Sequence, residues 1–166
     1  MNQPINEHQP LLRLTRFNGV ELFTISSARF NIYEESGSVF GVFRLEAGDA
    51  VQVLEDTEIL NGCPCWELVW RVPSATIPTL TPGMIIEIPG YDSERQENIT
   101  NFSYTGGGSE SEDNRITVLQ VSDGTLRARV LGETVDVNYY DGSKPPTLLE
   151  VVADFQRDPT LGRSFI

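Results

Sequence analysis

Apolar side chains recur at every second position through several stretches of this chain, and that period fixes what it can fold into. In "WELVWRV", Trp66, Leu68, Trp70 and Val72 share one face, with Glu67, Val69 and Arg71 on the other. "TLRARV" sets Leu126, Ala128 and Val130 against Arg127 and Arg129. "ARFNIY" sets Ala28, Phe30 and Ile32 against Arg29, Asn31 and Tyr33. "ETVDVNY" alternates Val135, Val137 and Tyr139 with Asp136 and Asn138, which places the two polar residues on a solvent face. A side-chain period of two is the pattern of antiparallel strands with one face in the core and one in water.

Turn chemistry falls between these runs. Asn18-Gly19, Asp123-Gly124 and Gly132-Glu133 each separate two strand-like segments. Such pairs suit two-residue hairpins, because glycine takes positive φ without a Cβ clash. They predict an antiparallel meander.

One segment can be read in two ways. In "TLLEVVADFQR", Thr147 and Glu150 have the spacing of a helical capping box, and Leu148, Val151, Val152 and Phe155 would share a helical face. As a strand, Leu149, Val151, Ala153 and Phe155 point one way and Glu150 and Asp154 the other. Adjacent β-branched residues favour the strand over a helix at 147–157. Residues 73–82, with three prolines, read as a connector, and 103–114, with "GGGSESEDN", as an exposed mobile loop.

These elements predict an all-β, antiparallel two-sheet sandwich. A closed, calycin-like barrel around a small apolar ligand is the alternative. At 166 residues the chain is expected to be one domain over 1–166. It has a possible division into β-halves 11–72 and 84–166 across the connector 73–83. "FNIYEESGS" and "VNYYDGS", both strand endings that break near Gly-Ser, give a faint internal echo of such halves.

Charge narrows the partners. With 24 acidic and 12 basic side chains, the net charge is −12. Nucleic acid and anionic membranes are gathered by Lys and Arg, so neither is expected as a partner. The acidity serves either solubility or a surface that meets a basic protein. Glu110, Glu112 and Asp113 are the candidate partner-binding residues. The start, "MNQPINEHQP", lacks the basic and apolar regions of a secretory signal, and no apolar run is long enough to span a bilayer. A cytoplasmic protein is the expectation, with signal-less export left open.

Catalytic motifs are sparse. No G-x-S-x-G elbow, P-loop or dinucleotide fingerprint is present, and the one histidine, His8, lies in a polar tail. Asp136, Asn138, Asp141 and Gly142 imitate a calcium loop, but counted from Asp136 the fifth position is Tyr140 and the twelfth Thr147. An EF-hand needs an oxygen ligand and a glutamate there. Cys63 and Cys65 flank Pro64 and lack further zinc ligands, so two reduced, partly buried thiols are expected. No cofactor or metal is expected.

Tyr140, Tyr33, Trp66 and Trp70 are the candidate ligand-binding aromatics, which would serve a groove for a sugar or another flat ligand. The competing reading puts both tryptophans in the core and leaves Tyr140 on the surface. Three functions follow. The leading one is a non-catalytic acidic binding module, with an inhibitor or immunity-type protein as one form. The alternative is a small-ligand or carbohydrate binder. The third is a carboxylate-based hydrolase, so the chain is expected not to be an enzyme. The sequence does not indicate an oligomeric state.

Overall fold

The computed structural model describes residues 6–56, 64–94, 96–104 and 107–162. The strands are β1 (Leu11–Arg16), β2 (Gly19–Glu35), β3 (Ser38–Gln52), β4 (Cys65–Val72), β5 (Ile85–Ile88), β6 (Tyr91–Asp92), β7 (Glu97–Asn98), β8 (Thr100–Tyr104), β9 (Gly107–Ser109), β10 (Ser111–Ser122), β11 (Thr125–Thr134) and β12 (Thr147–Arg157). Among the described residues no helix forms. The all-β, antiparallel reading holds, and 147–157 is a strand.

One sheet of ten strands runs β5-β10-β11-β12-β1-β2-β3-β4-β8-β9, and β6 and β7 make a separate ribbon. Neighbours are antiparallel except for a short parallel contact of β12 with β2 at Gln156 and Arg157. The ladder stays open, so the barrel does not form. Strands β2 and β3 are 17 and 15 residues long. Register shifts between Leu22 and Ser27 interrupt their pairing, and such bulges bend long strands.

The two ends of the sheet meet through side chains and loops. Trp66 Nε1 donates to Ser111 Oγ at 3.2 Å. Thr100 Oγ1 donates to the Ser111 carbonyl and accepts from the Ser111 amide, both at 2.8 Å. The Ile99 amide donates to the Gly90 carbonyl at 3.0 Å. Gly90 is required at this seam, since a Cβ there would lie 2.3 Å from the Ser111 carbonyl oxygen. Inside the fold, Leu12, Phe43, Trp66, Phe102, Ile116, Val130 and Phe155 share one buried cluster, drawn from both sides of the 73–83 connector. Burying such side chains contributes roughly 1.5–3 kcal/mol each.

The turns refine the sequence reading. Arg16 pairs with Gly19, so the β1–β2 turn is Phe17-Asn18, one residue earlier than the glycine pair suggests. Asp123-Gly124 turns as expected, between paired Ser122 and Thr125. Ser36 and Gly37 turn β2 into β3 at φ values of 51° and 81°, a conformation glycine favours. The proline-rich stretch 73–82 is a loop.

Three expectations are corrected. No turn occurs at Gly132-Glu133, because β11 continues to Thr134. Gly132 faces inward, where a Cβ would come within 2.8 Å of Asn114 Oδ1. The strand expected in "ETVDVNY" ends at Thr134, and Asp136 is buried rather than on a solvent face. The expected loop at 103–114 contains the end of β8, β9 and the start of β10. Ser111 and Asn114 are buried there, held by polar bonds at the seam that apolar periodicity does not report. Cys65 opens β4 and is half-buried, whereas Cys63 lies outside the described residues. His8 is exposed in the N-terminal segment.

Candidate interaction site

At one end of the sheet the alternation carries a charge into the core. On β1, Leu12, Leu14 and Arg16 are the inward residues. On β2, Glu21 and Phe23 turn inward. The Arg16 and Glu21 side chains are fully buried, as is that of Asp136, and Asp56 is about one-third exposed.

Arg16 holds two carboxylates in paired forks. Its Nε and Nη2 donate to Asp136 Oδ1 and Oδ2, each at 3.0 Å. Its Nη1 and Nη2 donate to Asp56 Oδ1 and Oδ2 at 2.9 and 3.0 Å. Glu21 Oε1 lies 4.0 Å from Arg16 Nη1 and accepts the Leu54 amide at 3.2 Å. Asp136 also accepts from Thr147 Oγ1 at 3.0 Å and from the Asn138 amide at 3.1 Å.

Burial works hardest against the charge on Asp136. The Arg16 fork, the Asn138 amide and Thr147 together outweigh it and hold the carboxyl below its usual range. The Arg16 hydrogen bonds are the main reason that Asp56 is likewise lowered. Arg16 also loses favour for its charge by burial, but its two carboxylates raise its pKa overall. Burial, aided by the charge of Glu21, pushes the Tyr104 phenol up.

This cluster ties β1, residues 54–56 and residues 136–147 together. In doing so it positions one wall of a cleft of about 570 Å3. Val135, Gly142, Lys144 and Pro146 line it on the side of the cluster's 136–147 segment, together with Ser109, Glu110, Glu112, Glu133 and Thr134 from the β9–β11 region. Glu112 pairs directly with Glu133 across β10 and β11. Opposed like charges on neighbouring strands are destabilising. Glu112 Oε2 accepts the Gly90 amide at 3.0 Å.

Most arginines elsewhere on the sheet already face acids. Arg127 meets Asp154 at 2.8 Å, Arg115 meets Glu87 at 2.8 Å, and Arg29 meets Asp158 at 2.8 Å. Arg13 bonds to Glu150. The cation that lines the cleft is Lys144, the only lysine in the sequence.

The sequence candidates separate into different places. Glu110 and Glu112 come together in the cleft, whereas Asp113, at φ 50°, lines two neighbouring depressions of about 450 and 370 Å3. Trp66 is 1% exposed in the core. Trp70 is half-buried against it, across the sheet from Gly41. Tyr33 belongs to another cluster with Val42 and Leu161, and its hydroxyl donates to the Gly162 carbonyl at 2.8 Å. Tyr140 is 42% exposed and donates to the Tyr104 carbonyl at 3.0 Å. The four aromatics therefore line no common groove.

Arg16, Glu21, Lys144 and Phe17 escaped the sequence reading. A signal existed for the first two, because each continues an inward period of two. Among the described residues, no group of three or more His, Cys, Asp or Glu side chains is placed to hold a metal ion. No helix among them is long and apolar enough to cross a membrane. No protein-family model, curated protein or solved structure matches the chain.

Proposed function

We propose that this chain is a non-catalytic acidic binding module that takes a basic segment of a protein partner into the cleft at Glu110, Glu112 and Glu133. The observation that carries the reading is the direct Glu112–Glu133 pairing in a cleft wall. An arriving guanidinium or ammonium relieves that repulsion, so binding recovers what the free fold loses. The net charge of −12 steers such a partner inward and makes association salt-sensitive.

A carboxylate hydrolase needs one acid with a raised pKa beside an ionised one. In the cluster around Arg16, Asp56 and Asp136 both move downward. A sugar groove needs aromatic faces side by side, and Tyr33, Trp66, Trp70 and Tyr140 stand apart. Both features favour the binding module over its rivals.

Titration with an oligo-arginine peptide tests the reading. Glu112→Gln with Glu133→Gln is compared with Glu34→Gln with Glu35→Gln, an exposed pair at the end of β2. Both double variants remove two negative charges. At ~0.7 kcal/mol for each lost contact, the cleft pair weakens binding roughly tenfold. The remote pair changes it by less than about twofold, as expected of a screened distant charge. Equal loss from both pairs refutes the site.

A further inference from the structure

Lys144 marks a second feature of the same cleft. Its Nζ lies 5.0 Å from the centroid of the Phe17 ring and 5.2 Å from that of Tyr139. The two rings meet edge to face, with centroids 5.7 Å apart and planes at 77°. They remain 40% and 36% exposed. Phe17 stands here because the turn falls on Phe17-Asn18, with Arg16 Cζ also 5.6 Å from its ring centroid. Lys144 lines the cleft, and its ammonium reaches the aromatic pair.

We propose that Phe17 and Tyr139 form a cation-binding notch, held in the free protein by the chain's own Lys144 and taken over on binding by a cationic side chain of the partner. The inference rests on the proposed cleft function for the identity of the incoming cation. An aromatic face attracts an ammonium or guanidinium through its quadrupole, and it does so whether that cation belongs to the same chain or another. Lys144 is suited to be displaced. It is followed by Pro145 and Pro146, which hold the local backbone extended, and Gly142 takes φ 76° within the preceding turn. The Ser143 amide donates to Asp141 Oδ1 at 3.0 Å, so the turn has its own support when the ammonium leaves.

The test follows the aromatic proton signals of Phe17 and Tyr139 by NMR while tetramethylammonium chloride is added. Sodium chloride provides the ionic-strength control and tert-butanol the neutral shape control. Lys144→Ala vacates the notch, and Lys144→Met keeps the stem should the alanine variant disorder the loop. In the vacated protein the shifts saturate, at a concentration about two- to fivefold lower than in the parent, the range expected of an exposed cation–π contact. Phe17→Leu with Tyr139→Leu removes that gain, read in this background from the Val135 and Gly142 amides.

A gain that persists without the rings is a charge effect alone and overturns the inference. Shifts with tert-butanol equal to those with tetramethylammonium overturn it as well, as does a folded Lys144→Met protein without saturable shifts. If oligo-arginine binding depends on Glu112 and Glu133 but is indifferent to both rings, this inference falls and the cleft function stands. If tetramethylammonium binds at the rings while oligo-arginine ignores the carboxylates, the notch stands and the cleft function falls.

Discussion

Arg16→Met removes the guanidinium and keeps most of the side-chain volume. It strands Asp136 and Glu21, both fully buried, without the cation that faces them. Asp56, about one-third exposed, can turn to water. Removing one member of a buried ion pair costs about 3–5 kcal/mol, because a desolvated charge stays behind. At ~2–4 °C per kcal/mol for a chain of this size, the melting temperature falls by roughly 10 °C. Guanidinium chloride unfolding at neutral pH measures the loss. Adding Asp136→Asn recovers at least ~1 kcal/mol, since the amide carries no stranded charge and retains an oxygen for Asn138 and Thr147.

Acidification gives an independent check on the sign. In the parent, Asp56 and Asp136 titrate below their ordinary value in the folded state. Their contribution is present above the unfolded value, about 3.9, and is lost as pH falls through the lower folded values. In Arg16→Met, burial without a partner raises the folded value of Asp136. Its penalty is largest at neutral pH and shrinks as the carboxyl takes up a proton. The stability gap between the two proteins therefore narrows on acidification. A loss under ~1 kcal/mol, or a gap that stays constant down to about pH 3, refutes the view of the cluster as an ionised anchor.

Trp66→Ala loses about 3–5 kcal/mol in denaturant unfolding, as expected for a buried aromatic. Trp70→Ala, truncating a half-buried ring, loses less, about 1–3 kcal/mol, and equal losses would contradict the packing described. Gly90→Ala pushes the seam apart at the Ser111 carbonyl and costs roughly 1–3 kcal/mol; an unchanged midpoint argues that the sheet ends do not meet there. Glu133→Gln raises the stability of the free protein by about 0.2–1 kcal/mol by relieving its pairing with Glu112, and a loss in thermal unfolding contradicts the repulsion.

The sheet was legible because its physics is local. Trp66, Leu68, Ala128 and Val151 follow the two-residue period, and burial obeys it. The seam and the cluster were not legible, because they depend on polar groups meeting across long sequence separations. Ser111 reads as part of a glycine-rich loop until Thr100 and Trp66 reach it. Asp136 reads as a solvent-facing strand residue until Arg16, 120 positions away, supplies its counter-charge. Glu110 and Glu112 were visible as acidic residues. That Glu112 opposes Glu133 while Asp113 lines other depressions depends on the pairing register and on a bulge between Glu112 and Arg115. Tyr33 and Trp66 carry the composition of a ligand groove but are consumed by packing. Phe17 and Lys144 gave no periodic signal, since both lie in turns.

The acidic cleft as the place of recognition is tested most directly by mapping backbone amide shifts during titration with oligo-arginine. The account predicts saturable shifts concentrated at residues 109–112, 133–135 and 142–144. Shifts spread evenly over other exposed acids, at Glu34, Glu35, Asp49 and Glu55, would contradict it.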